Sequence, residues 1–473
     1  MARHALGFTT QEEERQIDRL PLTGSLPDWL RGTLVCNGPG RFEVGNDTYR
    51  HWFDGLAMLR RFCLGDGGVS YANRFLQSRD YLDGMRRGRI MAGGFATNPN
   101  RSFLGQMASL LMGSMPRNAS VNVAEVDGRA VALTETPVPM VFDPDTLETH
   151  GALAWERDGV KGMLTTAHPQ VDRRRGELYN YLAHFSRTSK YILYRMPLDG
   201  RRRTALVEMR VSRPAYMHSF GMTAEHLVLV EFPLVYDPLR IVLSGKPFAD
   251  NLQWEPGREA RFHLIRKDDG SIRSYGAGAF FAFHHVNAFE HHGDCFVDIA
   301  AYPDADIVRS LYLKRLRAGE PIPQPELRRY RLPAAGKTAD YDVLSDESVE
   351  LPRLNEDRAG LDYRYAYGVS SPRGVESGFT GQLVKVDTGA RTSTLWREEA
   401  CYPGEPVFVP CPESQSEDEG VILSLVLDAE QGSSFLLVLD AASFTERARA
   451  RLPHHVPFGF HGQFFGAKKM GAG

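Results

Sequence analysis

The residues best placed to do chemistry lie in Phe280-Phe-Ala-Phe-His284-His285-Val-Asn-Ala-Phe-Glu290, an aromatic run with two adjacent histidines that ends on a carboxylate. Phe and Val favour strand here, and no helical period competes. Successive strand residues point to opposite faces, so His284 and His285 do not both face one site: one is a candidate ligand, and the other packs or hydrogen-bonds. Three more histidines have similar settings: His168 in Thr165-Thr-Ala-His168-Pro169, His218 in Ala215-Tyr-Met-His218-Ser, and His461 in Pro457-Phe-Gly-Phe-His461-Gly. In chain order the four lie 50, 66 and 177 residues apart, the last interval close to three times 59. Such intervals suit one histidine per unit of a closed repeat array, which would bring four imidazoles to a common axis. Four imidazoles with no cysteine or ligating carboxylate suit a borderline first-row metal. His51, in His51-Trp-Phe-Asp-Gly, reads more readily as a capping or packing group than as a ligand.

The elements that must position these groups are short strands. Val123–Thr134 carries an Asp127-Gly128 hairpin signal, and the same signal recurs at Asp199-Gly200 and Asp269-Gly270. Long amphipathic helices are scarce. Many short strands with evenly spaced turns predict an all-β fold, and a propeller suits 473 residues because a blade needs only about four strands. The whole chain, 1–473, reads as one propeller domain, with residues 1–25 a polar lead-in. Two stretches break the pattern. Residues 102–116 carry no charge and place Phe103, Met107, Leu110 and Leu111 on one helical face, and 232–254 is also apolar-rich. Each reads either as packing or as a dome insertion that dips into one membrane leaflet.

Composition narrows the partners. A net charge of −3 leaves no electrostatic footprint for nucleic acid. Cysteines 36, 63, 295, 401 and 411 form no CxxC pair and read as reduced, buried thiols of a cytosolic protein. The first residues lack the apolar stretch of a signal peptide, and no run of about 18 apolar residues predicts a membrane span.

Jointly, Asn37-Gly-Pro-Gly, His51-Trp-Phe-Asp-Gly, Thr166-Ala-His168-Pro, His218-Ser-Phe-Gly-Met-Thr, Phe283-His284-His-Val-Asn-Ala-Phe-Glu, Glu405-Pro-Val-Phe-Val-Pro and Phe460-His461-Gly resemble the carotenoid cleavage oxygenase family along nearly the whole chain. His51-Trp-Phe-Asp-Gly-Leu-Ala and Val349-Glu350-Leu-Pro-Arg-Leu-Asn are most similar to the branch of animal β-carotene dioxygenases and the retinoid isomerohydrolase. The resemblance implies a seven-bladed propeller with loops and short helices forming a dome over one face. It implies one Fe(2+) per chain held by His168, His218, His284 and His461, with Glu135, Glu350 and Glu405 accepting from the far N–H of ligating imidazoles. It implies O2 as co-substrate and an apolar polyene in an aromatic tunnel, for which Phe53, Phe95 and Tyr216 are candidates. Thr134 matches a position that crowds one open site of the metal.

The stilbene-cleaving branch has a Lys immediately before the Glu of the Glu135 motif and a Tyr near Phe95. This chain has Thr134 and Phe95, so a phenolic stilbene is not an expected substrate. The expected activity is cleavage of one double bond of a carotenoid or apocarotenoid to two carbonyl products, by a cytoplasmic protein held at a membrane surface. The alternatives are a redox-silent ester isomerase or hydrolase and a non-catalytic polyene-binding propeller.

Overall fold

The computed structural model describes residues 2–99, 117–186, 188–374 and 378–467. The stretch 102–116 lies outside the described residues. Seven antiparallel sheets form the seven blades of a β-propeller. Blade 1 is built on Gly32–Arg41, Leu56–Gly65 and Gly68–Phe75, and blade 2 runs from Asn122–Val126 to Thr149–Ala152. Blade 3 runs from Leu164–Thr165 to Thr204–Val211, and blade 4 from Gly221–Met222 to Ile272–Ala277. Blade 5 opens on Phe281–His291, blade 6 on Glu350–Leu354 and blade 7 on Cys401–Pro403.

Two strands close the ring. Gly462–Gly466 pairs with Gly32–Arg41 as the innermost strand of blade 1, and Leu22–Gly24 pairs with Glu446–Arg451 at the outer edge of blade 7. This double closure leaves no unpaired seam. It also corrects the reading of residues 1–25 as a lead-in. Arg15–Ile17 adds an edge strand to blade 1, and the short helix Arg3–Phe8 buries Phe8 completely.

Local sequence accounts for the blades. The strand Gly68–Phe75 alternates half-buried and buried residues along its length, the signature of a strand between a core and a wetter face. Asp127 and Gly128 both have positive φ (53° and 66°) between paired strands, the two-residue turn whose twist matches a hairpin. Among the described residues helices are few and short. Pro238–Ser244 is set by the Asp237 side chain, which accepts from the Leu239 and Arg240 amides, and by Gly245 at φ 63°. Within 232–254, Phe232, Leu234, Val235 and Tyr236 are core, whereas Leu239 (72 % exposed) and Leu243 (66 %) face outward. Among the described residues no helix is long and apolar enough to cross a membrane. The cysteines form no disulfide: Cys295 and Cys401 are buried as expected, but Cys63 is exposed, because its strand position faces out of blade 1.

Candidate metal centre and cavity

Each blade delivers one polar group to the axis. Blades 3, 4 and 5 bring His168, His218 and His284, and His461 immediately precedes the innermost strand of blade 1. The other three blades bring carboxylates: Glu135 follows the strand Arg129–Leu133 of blade 2, Glu350 opens blade 6, and Glu405 lies between the first two strands of blade 7. The long interval between His284 and His461 therefore spans two blades whose inward residue is glutamate.

Local devices aim these side chains. In Phe281–His291 the register against Asp294–Tyr302 shifts between Ala282 and His285. This bulge breaks strict alternation, so Phe283 and His284 both face the interior. His285 turns away and meets the Ser219 hydroxyl through Nδ1 at 2.8 Å. The Asn37-Gly-Pro-Gly motif clamps the segment that carries His461. The Asn37 amide donates to the His461 carbonyl (2.8 Å), and a Cβ on Gly38 would lie 2.3 Å from Gly459, a contact only glycine permits. His51 caps the turn Trp52–Asp54: Nδ1 accepts from the Phe53 amide and Nε2 meets the Val308 carbonyl at 2.9 Å.

The four imidazoles converge. Their ligating atoms lie within 4.8 Å of one another, with Nε2–Nε2 distances of 3.1 Å for His168–His218 and 3.2 Å for His284–His461. Nitrogens bound at about 2.1 Å on perpendicular axes stand about 3 Å apart. On the far side of three rings, Nδ1 meets a carboxylate: His218 with Glu135 at 2.7 Å, His284 with Glu350 at 2.6 Å, His461 with Glu405 at 2.7 Å. Among the described residues no carboxylate bonds His168. An Nδ1–H donated to a carboxylate leaves Nε2 as a bare lone pair. His284 and His461 thus face each other with two lone pairs, an arrangement that a shared cation relieves. Burial takes His461 down to about 4 and His168 well below the usual range, so both are neutral near pH 7. The cluster fits a metal site.

The carboxylates are anchored in turn. Glu405 also accepts from the Gly462 amide (2.8 Å), with the Arg353 guanidinium 3.8 Å away. Glu350 accepts from the Leu351 amide (2.7 Å) and the Tyr302 hydroxyl (2.9 Å). Burial alone would push both carboxyls up. For Glu405 the charge of Arg353 with the His461 and Gly462 hydrogen bonds, and for Glu350 the hydrogen bonds from His284, Leu351 and Tyr302, hold them below the usual carboxylate range.

Above the cluster lies a cavity of about 770 Å³. Phe53, Phe95 and Thr134 line it, together with Trp52, Phe283 and Phe460, and His218, His284 and His461 reach its wall. Loops and the helix Pro238–Ser244 cover it, with Leu239 and Ile241 on the lining. Phe53 packs against Phe95, Phe283 and Phe460 at centroid distances of 5.3, 5.7 and 5.4 Å, and Phe283 stands edge-on to His218 at 5.4 Å. Tyr216, expected on the tunnel wall, stands behind it. Its ring is buried against Phe95 and Phe248, and its hydroxyl donates to Glu135 at 2.8 Å. A polar group so deep needs a partner, and Glu135 supplies it. Sequence reasoning missed Tyr302 and Trp52. Trp52 sits inside the His51 motif, a signal that was available. Tyr302 ends an ordinary apolar strand and gave none.

Comparison with known proteins places the chain. Residues 8–466 match the family described as retinal pigment epithelial membrane protein. A carotenoid-cleaving dioxygenase from Macaca fascicularis is 34 % identical over 97 % of this chain and 93 % of its own length. A β,β-carotene 15,15′-dioxygenase from Mus musculus is 31 % identical over 96 % and 90 %. Among solved structures, a cobalt-substituted Synechocystis ACO superposes with a TM-score of 0.89 at 26 % identity, covering 98 % of both chains. The chain belongs to the carotenoid cleavage oxygenase family, the family of the carotenoid- and apocarotenoid-cleaving dioxygenases.

Proposed function

We propose that this protein is a non-haem Fe(2+) dioxygenase that cleaves one double bond of a carotenoid or apocarotenoid with O2, giving two carbonyl products. The observation that carries the reading is four imidazoles presenting converging Nε2 atoms to the floor of an aromatic cavity. His168, His218, His284 and His461 would hold the metal, one ion per chain. Glu135, Glu350 and Glu405 fix three of the rings in the ligating tautomer and offset the metal's charge. A bound ferrous ion would supply the one-electron chemistry that lets O2 react with an alkene.

The rest is the work of this chain's residues. Phe53, Phe95, Phe283 and Phe460 exclude water and seat a rod-like apolar polyene beside the imidazoles. Their faces stabilise positive charge that develops along it. Thr134 narrows the space next to Glu135. Among the described residues no cysteine or lysine lines the cavity, which disfavours covalent acyl chemistry. The exposed Leu239 and Leu243 lie on the helix that lines the cavity. They support peripheral, monotopic attachment of a cytoplasmic enzyme to one leaflet, so that substrate passes from lipid to cavity without crossing water.

The test is aerobic incubation of iron-loaded protein with a panel of carotenoids and apocarotenoids, following O2 uptake and product masses together. Stoichiometric uptake with a pair of aldehydes or ketones supports the reading. Product formation without O2 uptake overturns it.

A further inference from the structure

The wall of the cavity is mostly apolar, and several of its polar groups are already engaged within the protein. Asn118 donates to the Gly55 carbonyl (2.7 Å) and accepts from the Ala57 amide (2.8 Å). Asp54 accepts from the Ala96 amide and, at 2.6 Å, from the Thr97 hydroxyl. Trp52 donates to the Phe458 carbonyl. Tyr49 differs. Its ring belongs to the core cluster and is only 6 % exposed, its side chain lines the cavity, and no described residue bonds its hydroxyl. This hydroxyl can bond a ligand seated in the cavity.

Asp80 lines the same cavity. It accepts from the Arg117 amide at 2.6 Å and from the Asn118 amide. An ionised carboxylate offers about four lone-pair sites, so Asp80 keeps acceptor capacity. Asp80 and Asp54 lie near enough to act on the Tyr49 phenol. Burial first, and then these carboxylates, raise its pKa, so it remains a proton donor.

We propose that Tyr49 and Asp80 form a subsite for a hydroxyl group at one terminus of the polyene, an inference that rests on reading the cavity as the polyene site. A hydroxyl serves both groups at once: it accepts from the Tyr49 O–H and donates to Asp80. A carbonyl can satisfy Tyr49 alone, and a hydrocarbon ring satisfies neither. A site built to bond a hydroxyl discriminates against the analogue that lacks it.

The test measures binding, not turnover. The probes are an apocarotenal with a ring hydroxyl and the same molecule without it, titrated into the intact protein and followed by the shift of the polyene absorption band. The hydroxylated probe binds about tenfold more tightly to the wild type, and that ratio falls to about one in Tyr49→Phe. Asp80→Asn, which keeps an oxygen for the Arg117 amide, lowers the ratio as well and guards against a folding defect in the first variant. A wild-type ratio near one, or a ratio unchanged in both variants, overturns the subsite and leaves the dioxygenase reading standing. Failure of both probes to bind overturns both.

Discussion

Replacing Glu405 with glutamine separates the electrostatic support of the metal centre from its shape. In the wild type one Glu405 oxygen accepts from His461 Nδ1 at 2.7 Å and the other accepts from the Gly462 amide at 2.8 Å. Glutamine keeps one acceptor and turns the other position into a donor. If its oxygen serves His461, its NH2 faces the Gly462 N–H; flipped, it faces the His461 N–H. Either way one buried donor loses its partner and His461 loses a charged acceptor. A hydrogen bond to a charged group is worth about 1.5–3 kcal/mol, and each 1.4 kcal/mol is tenfold. Metal affinity should therefore fall roughly 10–100-fold. The assay is competition between protein and a chelator of known affinity, with circular dichroism to show that the fold survives. A dissociation constant within twofold of wild type would refute the argument that Glu405 acts through His461.

Three further outcomes follow from the same geometry. His284→Ala should lose its metal, whereas His285→Ala, which removes only the contact with Ser219, should retain most of it; the metal content of purified protein decides. Leu239→Ser together with Leu243→Ser removes two exposed apolar side chains beside the cavity, and should lower the partition onto lipid vesicles at least tenfold in a sedimentation assay. His51 is neutral in the fold because burial lowers it to about 4. Its stabilisation is complete above the unfolded value near 6.5 and is lost as pH falls toward 4. The stability gap between wild type and His51→Gln should narrow by about 2 kcal/mol between pH 7 and pH 5, and urea unfolding at those two values reads it.

The sequence carried the blade architecture because hairpin signals are local. Asp127-Gly128 forms a turn wherever both residues can take positive φ, and no distant contact is needed to recognise it. The convergence of His168, His218, His284 and His461 was also foreseeable, from the family motifs around each histidine and from intervals roughly suited to one per blade. The carboxylates were harder to read from the residues alone. Glu350 and Glu405 look like surface charges until blades 6 and 7 turn them inward onto rings from blades 5 and 1. Strict alternation separates His284 from His285 but does not show that Phe283 joins His284 on the inner face, because that depends on a bulge set by the partner strand. The resemblance placed Tyr216 on the tunnel wall, and only the position of Glu135 across the blade boundary shows its hydroxyl to be needed elsewhere. The first 25 residues read only as a polar lead-in because strand pairing at both edges of the ring is a property of closure, not of their composition.

The central claim, that four histidines and an apolar cavity serve oxidative cleavage of an alkene, is tested most directly by turnover under isotopically labelled O2. Aldehydes are trapped by reduction before they exchange with water. The account predicts one labelled oxygen atom in each of the two products, no products under strict anaerobiosis, and none from a hydroxystilbene. Equal yields with and without O2, or products whose oxygen comes wholly from water, would contradict it.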